Sequence, residues 1–144
     1  MKTLIAKFNT SVSKLKDFPL LFIRLILAYG FYKPAMMKLT KTESVVKFFD
    51  SAGIPFPTLN VYLAGITEGL GVILLVLGLG TRIISIPLMI TMIVAITVVH
   101  WDNGFKASEN GIQIPLYFLI MLFVLLVYGS GKFSVDYLIG KKQN

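Results

Sequence analysis

Three ionisable residues, Arg24, Lys33 and Glu68, lie inside long apolar stretches of the sequence. Charges are costly in an apolar environment, so such residues usually face one another or a wet cavity. On helical geometry, Arg24 and Glu68 are expected about 7 Å apart along the helix axes, within an arginine's reach. Lys33 is expected at a similar distance on the other side of Glu68. The pattern predicts either a buried salt bridge that fixes helix pairing or a carboxylate that carries a proton or binds a ligand.

The single histidine, His100, ends the third apolar stretch and precedes a polar loop that contains Asp102 and Glu109. It could act as an interfacial anchor, or as a proton donor to a quinone or another membrane-soluble substrate. We predict no metal site, because one histidine without any cysteine is a poor ligand set. Lys38, Asp102 and Glu109 are candidates for polar contacts in the outer loops.

Long helices in a membrane are needed to position these residues. The chain has 144 residues, of which 56% are hydrophobic and only 15% charged, too apolar for an ordinary soluble domain. Four stretches approach the roughly 20 apolar residues that cross a bilayer. They run from Phe18 to about Met37, Val61 to about Leu79, Ile83 to about Trp101, and Ile112 to about Gly129. The expected fold is all-α, a single-domain integral membrane bundle of four helices over residues 1–144.

Short amphipathic helices are expected outside the four spans. Residues 1–17 alternate apolar and lysine side chains at helical spacing, which predicts a helix on an anionic membrane surface, with a solvated basic tail as the alternative. Between the first two spans, Thr40 and Glu43 resemble a capping box that opens a short helix, and Gly53 would close it.

Small residues surround Glu68 along the second span. They are Ala64, Gly65, Gly69 and Gly71. Small side chains let helices approach closely in lipid, so this span is predicted to be the packing centre of the bundle. The same small surfaces would also permit a homo-oligomer.

The net charge of +7 comes from lysines and arginines that cluster at the ends of the spans. The positive-inside rule explains this distribution, so a nucleic-acid partner is not expected. Eight cations fall on the side of the termini and four on the other, which predicts that both termini lie in the cytoplasm and the two polar loops outside. Any thiol chemistry must belong to a partner, because the chain has no cysteine.

Several short motifs, taken in order, resemble the DoxX family of small four-helix membrane proteins. They are Arg24-Leu25, Lys38-Leu39, Gly53-Ile54-Pro55-x-Pro57, Ala64-Gly65-x-x-Glu68-x-x-Gly71, Leu77-Gly78-Leu79-x-Thr81-Arg82, His100, Gly104-Phe105, Pro115-Leu116, and Gly129-x-Gly131 with Ser134-x-Asp136. The stretch from Leu27 to Lys38 is similar to HvfX-type members, which are associated with maturation of copper-binding modified peptides. The resemblance implies mixed roles, including electron transfer from thiosulfate to quinone and oxidoreductase assemblies that manage oxidative stress.

Two main functions are compatible with these features. The first is an accessory subunit in a redox or metal-stress pathway, with copper as one of the metals to consider. Such a subunit binds other membrane or periplasmic proteins. The second is a quinone-linked oxidoreductase or small-molecule transfer protein, with Glu68, Arg24 and His100 lining a pocket. Quinone is then the one cofactor to consider. A channel is less attractive because four helices enclose little space.

Overall fold

The structure, a computed structural model, describes residues 2–142, with the side chains of all of these but residues 2, 3, 6 and 142. Within this range the chain forms helices and no strand, which confirms the all-α class. The α-helices are α1 Lys2–Ser13, α2 Asp17–Thr40, α3 Thr42–Ser51, α4 Pro57–Leu77, α5 Thr81–Val94, α6 Gln113–Tyr128 and α7 Val135–Lys142. The side chains of Lys2 and Lys142, two of the cations in the charge count, lie outside the described part.

Three helical stretches in the described range are long and apolar enough to cross a membrane. They are Lys7–Thr40, Pro57–Leu77 and Thr81–Asn103. The third exceeds α5 because α5 continues as a π-helix, Ala95–His100, and a 3-10 turn, Trp101–Asn103. Helix α6 is also apolar but has 16 residues, about 24 Å of helix. A helical membrane bundle is therefore confirmed, with a fourth helix shorter than the other three.

The four long helices pack in a ring. Helix α2 packs most extensively against α4, and α5 packs most extensively against α6, while contacts of α4 with α5 and of α2 with α6 close the ring. Leucines from these helices and Phe31 form the buried core. Large apolar side chains such as Ile73, Ile83 and Ile120 point outward and are more than half exposed, the distribution expected where lipid surrounds the bundle.

Both ends of the chain leave the bundle at the same end, which we call the terminal end. There the Asp17 carboxylate, at the start of α2, accepts a hydrogen bond from the Lys132 backbone N–H at 3.1 Å. The Asp136 carboxylate accepts from the backbone N–H groups of Gly80 and Thr81, at 2.8 and 3.2 Å. The chain therefore traverses the bundle four times. Helix α3 and residues 101–112 lie at the opposite end, which we call the loop end.

The connection between α2 and α3 differs from the one that the sequence predicts. Thr40 does not cap α3, because α2 continues through Thr40 and its hydroxyl donates to the Met36 carbonyl at 2.7 Å. Helix α3 begins at Thr42 without a side-chain cap, so the predicted capping box is wrong. Gly53 follows α3 with φ of +74°, a conformation that favours glycine at a helix end.

Candidate functional site

Glu68, on α4, is buried and pairs with Lys38 of α2. The Lys38 ammonium donates to both carboxylate oxygens, at 2.8 and 3.0 Å. The Lys38 side chain is 15% exposed and the Glu68 side chain 4%. The prediction that Lys38 belongs to an outer loop is wrong. Because α2 runs to Thr40 rather than ending at Met37, Lys38 is a helical residue that faces α4.

Gly65 makes this ion pair possible by letting α2 approach α4. A Cβ atom at Gly65 would lie 3.0 Å from the Lys38 Cβ and 3.2 Å from a Leu39 methyl. The stem of Lys38 therefore passes close to Gly65, and its ammonium reaches Glu68 about one turn further along α4. Gly69 is less tightly placed, since its Cβ would be 3.9 Å from Leu39.

Gly71 lets α5, the other helix packed against α4, approach closely. A Cβ there would lie 2.9 Å from both methyl groups of Leu88 on α5. The small residues of α4 thus face two helices, α2 at Gly65 and α5 at Gly71. Ala64 does not belong to either close approach and lines a cavity described below.

Arg24 does not meet Glu68, so the predicted pairing of these two residues is wrong. Its guanidinium is completely buried. One terminal nitrogen donates to the Leu75 carbonyl at 3.2 Å and the other to the Phe133 carbonyl. Leu75 lies about 10 Å from Glu68 along α4, toward the terminal end. Arg24 therefore caps the carbonyl end of α4, where helical carbonyls lack partners and the helix dipole is negative.

A cavity of about 1030 Å³ opens toward the loop end, between α2, α4, α5 and α6. Most of its walls are apolar, and its volume matches that of known small-molecule sites. The ionisable residues that line it are Lys33, Lys38, Glu68 and His100. The structure therefore gathers three of the four predicted residues around one space and leaves Arg24 outside it.

The helices that enclose this cavity are irregular where they line it. Pro34, Pro87 and Pro115 all contribute to the wall, as do several residues of the π-helix Ala95–His100. Pro34 and Pro87 lie inside helices, where proline lacks the N–H of a regular helical bond, whereas Pro115 lies in the first turn of α6. π-turns are frequent at functional sites. Irregular backbone at membrane depth is tolerated where it is buried or lines a cavity. Sequence reasoning missed this feature, although the three prolines inside apolar stretches were a usable signal.

His100 is held by the loop that follows it. Its Nδ1 lies 2.6 Å from the backbone carbonyl oxygen of Asn110. Asp102 and Glu109 are exposed and do not line the cavity. Glu109 instead pairs with Lys106 at 3.5 Å on the surface, a type of pair that contributes little to stability.

The chemistry available in the cavity is recognition of a molecule with an apolar body and a polar head. Lys33 and Lys38 offer donors, and Glu68 and His100 offer acceptors. Among residues 2–142 no group of three or more His, Cys, Asp or Glu side chains comes together to hold a metal ion.

Comparisons with known proteins place this geometry in a family. The DoxX family model matches residues 19–101, which include Glu68, Lys38, Lys33 and His100. An uncharacterized protein of Haemophilus influenzae is 31% identical over 126 residues, covering 85% of this chain and 83% of that protein. An uncharacterized membrane protein of Mycobacterium tuberculosis is 31% identical over 104 residues, covering 65% of this chain and 64% of that protein. No solved structure matches. With the family model matching more than half of the chain, the protein belongs to the DoxX family.

Proposed function

We propose that this DoxX protein binds a lipophilic small molecule of the quinone class in the cavity at the loop end. The observation that supports the proposal is the convergence of Lys33, the Lys38–Glu68 pair and His100 on one largely apolar space. A quinone has an apolar ring and tail and carries two carbonyl oxygens that accept hydrogen bonds. The cavity offers matching surfaces for both parts.

Lys33 is the donor best placed to recognise such a head group. It lines the cavity and has no hydrogen bond or ion pair with any residue whose side chain is described. Lys33 is exposed rather than buried, so its flexible side chain can turn toward a ligand oxygen in the cavity. The Lys38–Glu68 pair, by contrast, adds polarity without net charge, so an uncharged head group suits this part of the wall.

The proposed location is the bacterial inner membrane with both termini in the cytoplasm. Cations at the terminal end support this orientation, since the positive-inside rule assigns the side that carries more lysine and arginine to the cytoplasm. They include Lys7, Lys14, Lys16, Arg82, Lys132 and Lys141. The cavity then opens toward the periplasmic side, where it is reached from the outer leaflet.

An accessory role in a redox or metal-stress pathway is a second proposal, and it is compatible with the first. Trp101 and Phe105 are 64% and 52% exposed at the loop end, beside the charged residues Asp102 and Glu109. Exposed aromatic residues with neighbouring charges suit a membrane or periplasmic partner. In the copper-related form of this proposal, similar to HvfX-type members, the modified peptide would hold the metal.

Filling the cavity tests the binding proposal. Thr67→Phe places a ring in the cavity wall, whereas Ile66→Phe changes the neighbouring residue, which is 52% exposed and does not line the cavity. Trp101, the single tryptophan, adjoins His100 and reports on ligands because quinones quench tryptophan fluorescence. In nanodiscs of synthetic lipid, we expect saturable quenching by a short-tailed benzoquinone. Thr67→Phe should weaken it about tenfold or more, and Ile66→Phe less than about twofold.

Partition of the quinone into lipid would give a different result. Quenching that rises without saturation and is the same in all three proteins would contradict binding in the cavity. Thermal unfolding of each variant, followed by circular dichroism, establishes that the bundle is intact.

A further inference from the structure

The contact between His100 and Asn110 defines which ring nitrogen carries a proton. The Nδ1 atom lies 2.6 Å from a backbone carbonyl oxygen, and a carbonyl oxygen only accepts hydrogen bonds. Nδ1 must therefore donate. A neutral imidazole has one N–H, so the second nitrogen, Nε2, is left as an acceptor. This nitrogen has no partner among the residues whose side chains are described.

The loop after the π-helix holds in place the Asn110 carbonyl that accepts the hydrogen bond from His100 Nδ1. Asn110 has φ of +58°, and its carbonyl also accepts from the Asn103 side chain at 3.2 Å. The Gly111 N–H donates to the Lys106 carbonyl at 2.9 Å. A side chain at Gly111 would collide with the Gly104 carbonyl oxygen and the Phe105 backbone. The loop is thus tightly closed, and it presents an acceptor to His100 whatever the cavity contains.

The other polar side chains of the cavity are either already hydrogen-bonded or able to donate, whether or not they also accept. The Thr91 hydroxyl donates its proton to the Leu88 carbonyl at 2.8 Å, and both oxygens of Glu68 already accept from Lys38. Lys33 is a donor. His100 Nε2, in contrast, has no hydrogen-bond partner among the described residues and can only accept, so a hydroxyl of the ligand is the partner that suits it.

We infer that the cavity discriminates in favour of the reduced, hydroquinone form of its ligand, with His100 Nε2 accepting a hydrogen bond from a ring hydroxyl. This inference rests on the proposed function. A quinone carbonyl oxygen in the same place would face Nε2 as one acceptor facing another, which is unfavourable. The inference concerns binding alone, so it requires no electron acceptor.

Three related compounds test this preference in the wild-type protein. They are a short-tailed benzoquinone, which is nearly the same size as its hydroquinone, the hydroquinone itself, and the dimethyl ether of that hydroquinone, which has no hydroxyl proton but two added methyl groups. By isothermal titration calorimetry under argon at pH 8, we expect the hydroquinone to bind about three- to tenfold more tightly than the other two, the effect of one hydrogen bond.

Two variants assign the preference to His100. His100→Phe removes the acceptor and should make the hydroquinone and the quinone equal within about twofold. Asp102→Asn changes an exposed neighbour and should leave the preference intact. If His100→Phe does not fold, equal affinity of the wild-type protein for the hydroquinone and the quinone still overturns the inference.

The outcomes separate this inference from the proposed function. Saturable binding with equal affinity for the three compounds, or a preference for the quinone, overturns the inference and leaves the proposed function standing. A preference that persists in His100→Phe also overturns it. Absence of saturable binding of any compound removes the proposed function and the inference together.

Discussion

Arg24→Ala is expected to lower the free energy of unfolding by about 3–5 kcal/mol. The substitution leaves the Leu75 and Phe133 carbonyls without their donor and opens a void at a completely buried position. It also removes a positive charge that interacts with Asp136, whose carboxylate holds the start of α5. A loss of this size is a large fraction of the stability of a small domain.

Arg82→Ala is the matched control, because it removes an arginine that is exposed and also donates to a backbone carbonyl. That contact joins the Arg82 guanidinium to the Val127 carbonyl at 3.0 Å, and its loss should cost less than about 1 kcal/mol. Unfolding in mixed SDS and mild detergent, followed by circular dichroism, measures both variants. Equal small losses would contradict the capping role of Arg24.

The Lys38–Glu68 pair gives the second large effect. Glu68→Met leaves the Lys38 ammonium without its partner, and Lys38→Met leaves a buried carboxylate. Each single variant should lose about 3–5 kcal/mol of stability, whereas the double variant, with two packed apolar side chains, should recover most of it. The same unfolding assay gives the coupling energy from a double-mutant cycle.

Ligand binding by the double variant distinguishes a structural pair from a binding site. If the pair recognises the polar head of the ligand, Lys38→Met combined with Glu68→Met should weaken quinone binding about tenfold while the protein stays folded. Wild-type affinity in a stable double variant would mean that the pair only holds α2 against α4. Stability and binding are measured on the same sample, so a loss of affinity through unfolding is distinguished from a loss of affinity in a folded protein.

Much of the fold follows from composition and spacing alone. Long apolar stretches must become helices in lipid, since every backbone polar group has to be satisfied within the segment. This reasoning predicts α2, α4 and the α5 stretch to within a few residues. It predicts α6, Gln113–Tyr128, to within one residue at each end.

The partners of the charged residues were harder to predict. Glu68 forms a buried ion pair, one of the two alternatives that the sequence leaves open, but its partner depends on one extra turn of α2 beyond the length that a bilayer requires. Arg24 was matched to a carboxylate because opposite charges attract, whereas its partners are backbone carbonyls at a helix end and in the segment after α6. Hydrogen bonds to backbone groups leave no mark in the sequence, so only the packed structure identifies them.

The cavity itself also lay beyond sequence reasoning. It forms where the π-helix Ala95–His100 and two prolines inside helices, Pro34 and Pro87, make the helix walls irregular, and no residue pattern specifies how wide such a gap becomes. His100 was correctly placed at the end of the third span. Its fixed tautomer depends on Asn110, ten residues later, through the conformation of the intervening loop.

Photolabelling tests most directly whether a quinone-class molecule occupies this cavity. Wild-type protein in nanodiscs would be illuminated with a benzoquinone that carries an azide, digested, and mapped by mass spectrometry. We predict label on the peptides that contain residues 91–100 and 107–118, and its disappearance when excess unlabelled quinone competes. Label confined to outward-facing residues such as Ile73, Ile83 and Ile120, unaffected by competition, would contradict binding in the cavity.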